Sequence, residues 1–360
     1  MIRFAAVGAA KKIVKRAVLM RYVIGRTPWR KIRAMRDPSA DVVVWLHHRY
    51  PDSWFRFLSK GDSFVKDAAL LAAVAETGTR FRIVSGPAIG EVANATILYS
   101  IDEYNPARAR NYSASLMAAL RQLEAQGNTL YPSADEAEYW ENKVFMHRRF
   151  DELGIRSPAT TAIDRDTELA EDDLAYPLLV KEPHSANSEG LHKVQSADEL
   201  RALRARLGAR GDHELLIQEI LDMRRDLRCT VIGGEIVHHY FRINNSDEWM
   251  PTTTRKGSSV DFVTFPEQWR AEIVEATRKL GLRNGAFDIC WVGDDLDSPP
   301  YYLEVSPAYT PNPAPPASWD DRPYADFKDQ LTGPDAFHVA FADLVFDMHH
   351  TMLEAWEFPS

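Results

Sequence analysis

Residues 285–306 read GAFDICWVGDDLDSPPYYLEVS. Two apolar runs flank an acidic loop, and each run carries one carboxylate, Asp288 or Glu304. Their length and their glycine, aspartate and proline boundaries predict strands over 285–292 and 301–305. Alternation along a strand would put Ala286, Asp288 and Cys290 on one face, and Tyr302, Glu304 and Ser306 on one face of the neighbour. Carboxylates inside apolar strands are uncommon without a partner. Two acids approaching on one face suit Mg²⁺ or Mn²⁺ held together with phosphate oxygens. The competing reading is two unrelated acids, each neutralised by arginine.

Upstream, closely spaced strands are predicted over 214–220, 227–232 and 235–241, followed by a helix over 266–280. Gly233-Gly234 suits a two-residue hairpin turn that needs positive φ. The run Gln218, Glu219, Ile220 stands at a strand end, where backbone groups can meet a flat base. Asp226 can bind ribose hydroxyls, and Arg228 and Arg242 can neutralise phosphoryl oxygens. Each is ordinary surface chemistry alone; their order along the chain strengthens the signal. Further back, Lys181 interrupts the apolar strand predicted over 178–182, where its lost hydration calls for an anion such as phosphate unless it reaches water at a sheet edge. The loop after it, residues 183–190, is small and polar, so its N–H groups and the Ser185 and Ser188 hydroxyls can cover phosphates. An ordinary hairpin loop has the same composition.

Ser133 and Glu136 have the S-x-x-E spacing of a helix start. The predicted helix carries Lys143, Met146, Phe150 and Leu153 and stops at Gly154; a second such start is Ser196 with Glu199. Before these, strands over 41–46, 80–84 and 95–100 alternate with helices over 63–76 and 113–126, an α/β layer. The proline-rich stretch 307–323 reads as an ordered irregular segment, and a last helix is expected over 335–357. The expected divisions are a basic arm at 1–36, an α/β domain at 37–132, α+β subdomains at 133–213 and 214–330, and a closing helix at 331–360. Residues 244–261, with Arg255 and Lys256, are a candidate acceptor-facing loop.

The 360 residues carry a net charge of −9 and are 45% hydrophobic, enough for two or three packed subdomains. Two well-separated cysteines, Cys229 and Cys290, argue against a disulfide framework or zinc site and point to the cytoplasm. Residues 1–36 hold 11 lysines and arginines and no acid. Apolar residues between those charges allow a basic amphipathic helix lying on an anionic membrane surface or in a partner groove. The alternatives are a solvated arm or a helix packed on its own domain. Charges every few residues exclude a transmembrane span, and a signal peptide fits poorly. The acidic remainder speaks against nucleic-acid binding. His47-His48, His238-His239 and His349-His350 are adjacent pairs, poorly placed to chelate. No oligomeric state is specified.

Taken in order, ENKVFMHRRFDELGIRSP, YPLLVKEP, ELLIQEIL, RDLRCTVIGGEIV, GAFDICW and YYLEVSP resemble the ATP-grasp superfamily, in particular its ribosomal-protein glutamate ligase branch. The resemblance covers roughly residues 128–310. It implies an ATP-grasp fold with a preceding α/β domain, and an ATP-dependent carboxylate–amine ligase forming an acyl phosphate. By it, Lys143 and Lys181 contact ATP, Glu219 and the Ile220 backbone hold adenine, and Asp226 meets ribose. Arg228 and Arg242 face the phosphates and acyl phosphate, while Asp288 and Glu304 hold two Mg²⁺ ions. Ser306 stands where the family usually has asparagine, and the 183–190 loop is poor in glycine. Those departures leave an ATP-binding module without catalysis, or a kinase acting on a hydroxyl, as alternatives.

Overall fold

The computed structural model describes residues 2–46, 61–101, 112–164, 167–185, 190–209, 214–246, 249–254, 257–319, 322–330, 333 and 336–356. The chain forms two compact units, Met1–Ala137 with Ala308–Ser360, and Glu138–Pro307. The chain passes between these units after residues 137 and 307.

The first unit opens with helices α1 (Ile2–Arg26) and α2 (Trp29–Met35). It continues through strand β1 (Val42–Leu46), helix α3 (Gly61–Glu76), β2 (Arg82–Ser85), β3 (Thr96–Tyr99), α4 (Tyr112–Ala125), β4 (Thr129–Tyr131) and α5 (Ala134–Ala137). The four strands form a parallel sheet in the order β2-β1-β3-β4. The unbroken apolar run in β1 follows from burial on both sheet faces. The capping box forms: the Ser133 N–H donates to Glu136 Oε2 (2.9 Å), and the Glu136 N–H to Ser133 Oγ (3.2 Å). The helix it starts is short, however, instead of running on to Lys143. The backbone breaks at Glu141 (φ 48°), and Asn142 caps a new helix by accepting from the Phe145 N–H.

That new helix, α6 (Lys143–Glu152), begins the functional part of the second unit. Strands β5 (Thr160–Ile163), β6 (Leu178–Lys181) and β7 (Leu191–Val194), helix α7 (Ala197–Ala209) and β8 (Leu215–Glu219) follow. They form an antiparallel sheet, β5-β8-β6-β7, whose core includes Leu200, Leu203 and Leu207 of α7. Next come β9 (Arg225–Ile232), β10 (Glu235–Ile243), β11 (Ser259–Asp261), α8 (Arg270–Lys279), β12 (Asn284–Cys290) and β13 (Tyr301–Ser306). These give a second antiparallel sheet, β11-β10-β9-β12-β13. Gly233 and Gly234, at φ 59° and 82°, make the β9–β10 turn.

Leu227, Cys229 and Val231 of β9 and Phe287 and Ile289 of β12 pack with Met146 and Phe150 of α6 and Ile273 of α8. The intervening residues of β9 and β12 therefore face away from these helices. In β13 the alternation expected from sequence fails. The register steps from Asp288↔Glu304 to Ile289↔Tyr302, so Leu303 is an extra residue. This bulge turns Tyr302 into the helix-side core, its ring 5.7 Å from Phe287, while Glu304 stays opposite Asp288.

The chain then returns to the first unit through α9 (Tyr324–Asp329) and α10 (Phe337–Ala355). Leu19 and Val23 of α1 pack with residues of α3 and with Phe341, Val345 and Phe346 of α10. The Tyr22 hydroxyl donates to Asp343 at 2.9 Å, and Arg26 Nε pairs with the same carboxylate at 2.9 Å. The basic segment is thus integral to its unit instead of a separate arm. Among the described residues, no helix is long and apolar enough to cross a membrane.

Candidate active site

Strand register brings four of the sequence-predicted residues together. Arg242 on β10 is opposite Asp226 on β9, and Arg228, two residues on, is opposite Asp288 on β12. All four project from the sheet face away from α6 and α8. Arg242 grips Asp226 with two parallel contacts, Nε to Oδ1 at 2.9 Å and Nη2 to Oδ2. The same Nη2 lies 2.9 Å from Asp288 Oδ2, while Arg228 Nε lies 2.9 Å from Asp288 Oδ1. Two acids and two arginines alternate, so the quartet has no formal charge. Burial alone would raise the Asp288 pKa; Arg228 and Arg242 outweigh it and hold the carboxyl below its usual range.

The expectation that acids in these strands meet a cation and the rival expectation that they meet arginine both touch part of this arrangement. Arginine is the partner observed. Yet Asp288 Oδ1 is buried and accepts no hydrogen bond, because its contact with Arg228 lacks the alignment of one. Glu304, directly across β13, makes no direct ion pair with any described residue. A buried carboxylate oxygen with an unused lone pair facing a second carboxylate is a donor set that fits Mg²⁺, which takes its remaining ligands from phosphate and water. Among the described residues no three His, Cys, Asp or Glu side chains are grouped to hold a metal. Ser306, opposite Ala286, lies two residues beyond Glu304 on the same strand.

Lys181, at the end of β6, joins this face to the other sheet. Desolvation pushes its pKa down to about 8; Glu304 opposes the shift, Lys143 adds to it, and Asp288 also opposes it. The lysine is therefore within electrostatic reach of both carboxylates and of a second lysine. Lys143, buried in the first turn of α6, donates from Nζ to the Ser185 carbonyl. Its N–H donates to the Pro183 carbonyl at 3.3 Å, and His184 Nδ1 meets the Glu141 carbonyl at 2.8 Å. The loop after β6 is thus pinned to the start of α6. Its far end needs glycine: Gly190 has φ +71°, and a Cβ there would lie 2.9 Å from Glu182 Cβ and 3.0 Å from Ser185 Cβ. Ser188 lies outside the described residues, as do Arg255 and Lys256 of the candidate acceptor loop and the pair His47-His48.

Gln218 is buried on β8, where its Nε2 donates to Thr160 Oγ1 at 2.7 Å and lies 3.4 Å from His147 Nε2. Glu219 is exposed, and its Oε1 accepts from the Ala159 N–H at 2.7 Å. Ile220 follows immediately where β8 ends. Sequence reasoning missed His147. It sits one helical turn after Lys143, a spacing that puts both on one face of α6. Burial, then Lys181, then Lys143 drive its pKa down to about 3, so the ring is neutral. Its Nδ1 is buried without a hydrogen-bond partner. Thr252, which hydrogen-bonds Asp226, also gave no sequence signal.

Two antiparallel sheets, one presenting lysines and a pinned loop and the other carboxylates and arginines, define the class: the chain has the ATP-grasp fold. Solved structures of that fold match it over most of its length. A D-alanine–D-alanine ligase from Bacillus anthracis complexed with ATP aligns with a TM-score of 0.54 at 14% identity, covering 90% of this chain and 99% of that one. A RimK domain ATP-grasp protein from Sphaerobacter thermophilus gives 0.50 at 15% identity, covering 84% and 99%.

In sequence, residues 154–283 match the family described as D-ala D-ala ligase C-terminus. The chain is 30% identical to a probable alpha-L-glutamate ligase of Parasynechococcus marenigrum over 181 residues, 48% of this chain and 38% of that protein. It is 28% identical to a D-alanine–D-alanine ligase of Ligilactobacillus salivarius over 177 residues, 44% of this chain and 46% of that protein. Each match thus spans less than half of the curated relative. The similarity to ATP-grasp carboxylate–amine ligases expected from the six motifs is therefore found in sequence and fold alike.

Proposed function

We propose that the chain is an ATP-dependent carboxylate–amine ligase that releases ADP and phosphate. The observation that carries this reading is the opposed pair Asp288 and Glu304, with Lys181, Arg228 and Arg242 around it, on the inner face of an ATP-grasp fold. In the proposed reaction a substrate carboxylate oxygen attacks the γ-phosphorus of ATP, and the bond from that phosphorus to the ADP oxygen breaks. An amine nitrogen then attacks the acyl carbon, and phosphate leaves with the electrons of the carbon–oxygen bond.

Such transfers depend on positioning and charge neutralisation and need no nucleophilic side chain. In this reading Lys181 and Lys143 hold ATP phosphates, Lys143 also keeping the 183–190 loop, with Ser188, over them. Gln218 and Glu219 shape the adenine site together with the Ile220 backbone, and Asp226 lies toward the ribose while orienting Arg242. Arg228 and Arg242 face the transferring phosphoryl group and the acyl phosphate, where preorganised positive charge lowers the barrier. Asp288 and Glu304, with Ser306 beside them, would hold Mg²⁺ or Mn²⁺, which supplies charge neutralisation at the phosphate oxygens. The two free, buried cysteines suit a reducing cytoplasm, and burial pushes the Cys229 thiol up to about 12.

The second reading is ATP binding without catalysis. It is favoured by Ser306, a shorter ligand than an amide, and by the two arginines on Asp288. Phosphorus NMR of the full chain with Mg-ATP and pooled amino acids and uronic acids separates the readings, beside Lys181→Ala. ADP and phosphate rising only with the pool, and only in the wild type, support the ligase. A stable phosphorylated product without free phosphate indicates a kinase, and bound ATP without turnover the second reading.

A further inference from the structure

The first unit carries a surface that the ATP site does not use. Helix α1 is amphipathic in an unusual sense: one side is packed and the opposite side is also apolar. Leu19 and Val23 are buried against α3 and α10, and two basic residues of α1 have acidic partners. Lys15 pairs with Asp329 at 2.5 Å, and Arg26 with Asp343 at 2.9 Å. On the opposite side Ile13, Val14 and Ile24 are 63%, 48% and 49% exposed, and Trp29, at the start of α2, is 43% exposed. Four of the seven exposed large apolar side chains among the described residues therefore fall between positions 13 and 29.

Helical geometry puts Ile13, Ala17 and Ile24 on one stripe, with Val14 and Arg21 on its flank. The Trp29 indole N–H donates to the Ile24 carbonyl at 2.8 Å, which makes α2 continuous with that stripe. Ile32 faces inward on α2, leaving Arg30 and Arg33 exposed beside Trp29, and Arg36 is exposed just beyond. No acid interrupts residues 1–36. This is a weakly apolar stripe with an indole at its edge and arginines around it.

A helix with such a face lies along the headgroup–acyl boundary, its apolar side chains inserted, its indole at the interface and its arginines against lipid phosphates. We propose that the solvent face of α1 and α2, centred on Ile13, Ile24 and Trp29 and ringed by Arg21, Arg30, Arg33 and Arg36, docks on the surface of an anionic phospholipid bilayer. Charge complementarity argues for anionic lipid.

The test is sedimentation of the full chain with vesicles of phosphatidylcholine alone, or with phosphatidylglycerol added. Binding should be at least tenfold stronger to the anionic vesicles and should fall with added salt. Each arginine near the surface is worth about fivefold, so Arg21→Gln/Arg30→Gln/Arg33→Gln should weaken it by about 100-fold. Ile13→Ser/Val14→Ser/Ile24→Ser, which keeps every charge, should weaken it at least tenfold. Brominated lipid should quench wild-type fluorescence more than that of Trp29→Phe. All changed side chains are exposed, and unchanged circular dichroism checks the fold. Equal binding to both vesicle types, or undiminished binding by the serine variant, would overturn the proposal. So would binding to polyglutamate with none to either vesicle, which would identify an acidic polypeptide as the partner.

Discussion

Asp226→Asn removes one charge from the buried quartet while leaving the side-chain shape almost unchanged. In the wild type the two arginines and two carboxylates cancel, with Arg242–Asp226, Arg242–Asp288 and Arg228–Asp288 each in direct contact. The variant leaves Arg242 with Asp288 as its one charged partner, the asparagine offering at most a neutral acceptor. Breaking a buried pair from one side costs about 3–5 kcal/mol. The surviving contact argues for the lower end, about 3 kcal/mol, which is about 100-fold in an opening equilibrium. Hydrogen exchange followed by mass spectrometry reads this locally. Peptides from β9, β10 and β12 should exchange about 100-fold faster, and peptides from β1 and β3 should be unaffected. Asp226→Leu with Arg242→Leu removes both charges and should cost less than the single change, because nothing is left stranded. If the single variant exchanges like the wild type, or the double variant proves the worse, the quartet does not work as a charge-balanced unit.

Three further outcomes follow from the same geometry. Gly190→Ala forces a side chain into a left-handed backbone, at about 1–2 kcal/mol, and into Glu182 and Ser185. Calorimetry should show Mg-ATP binding weakened roughly tenfold, with the melting temperature lowered by about 2–8 °C. Lys181→Met removes a charged donor, so nucleotide affinity should fall roughly 10- to 100-fold. His147 should stay neutral from pH 8 to 5, its NMR signals, assigned by their loss in His147→Gln, not moving with pH. Its folded pKa, about 3, lies below the unfolded value near 6.5, so the unfolded chain takes up the proton first. Its contribution to stability is therefore intact above pH 6.5 and is lost as pH falls, by up to about 4 kcal/mol near pH 3.5.

Much of the fold was legible because its strands are short apolar runs punctuated by glycine and proline. Residues 227–232 and 235–241 around Gly233-Gly234 became β9 and β10 nearly as read. The single helix expected from Ser133 failed because Glu141 takes a positive φ and Asn142 recaps the chain, and the S-x-x-E spacing says nothing about where a helix ends. The shared face expected for Tyr302 and Glu304 failed because one extra residue, Leu303, reverses alternation, and strand periodicity carries no sign of a bulge. At the site, the strand acids and arginines could be found from sequence because charge inside an apolar run is conspicuous. Which arginine meets which acid depends on register across three strands, and that is a property of pairing. His147 stayed hidden because a histidine in a polar helix is unremarkable until burial and two lysines surround it. The segment 1–36 announced its charge but not its packing, since Leu19 and Val23 find their partners more than three hundred residues away in α10.

The most direct test of the proposed chemistry follows oxygen. Pooled amino acids and uronic acids labelled with ¹⁸O in their carboxylates are incubated with the chain and Mg-ATP, and phosphorus NMR reads the isotope shift of the phosphate released. Attack by a carboxylate on the γ-phosphorus, followed by an amine displacing phosphate from the acyl carbon, carries one ¹⁸O into each phosphate formed. Phosphate released without label, or label appearing only in AMP, would contradict carboxylate activation through an acyl phosphate.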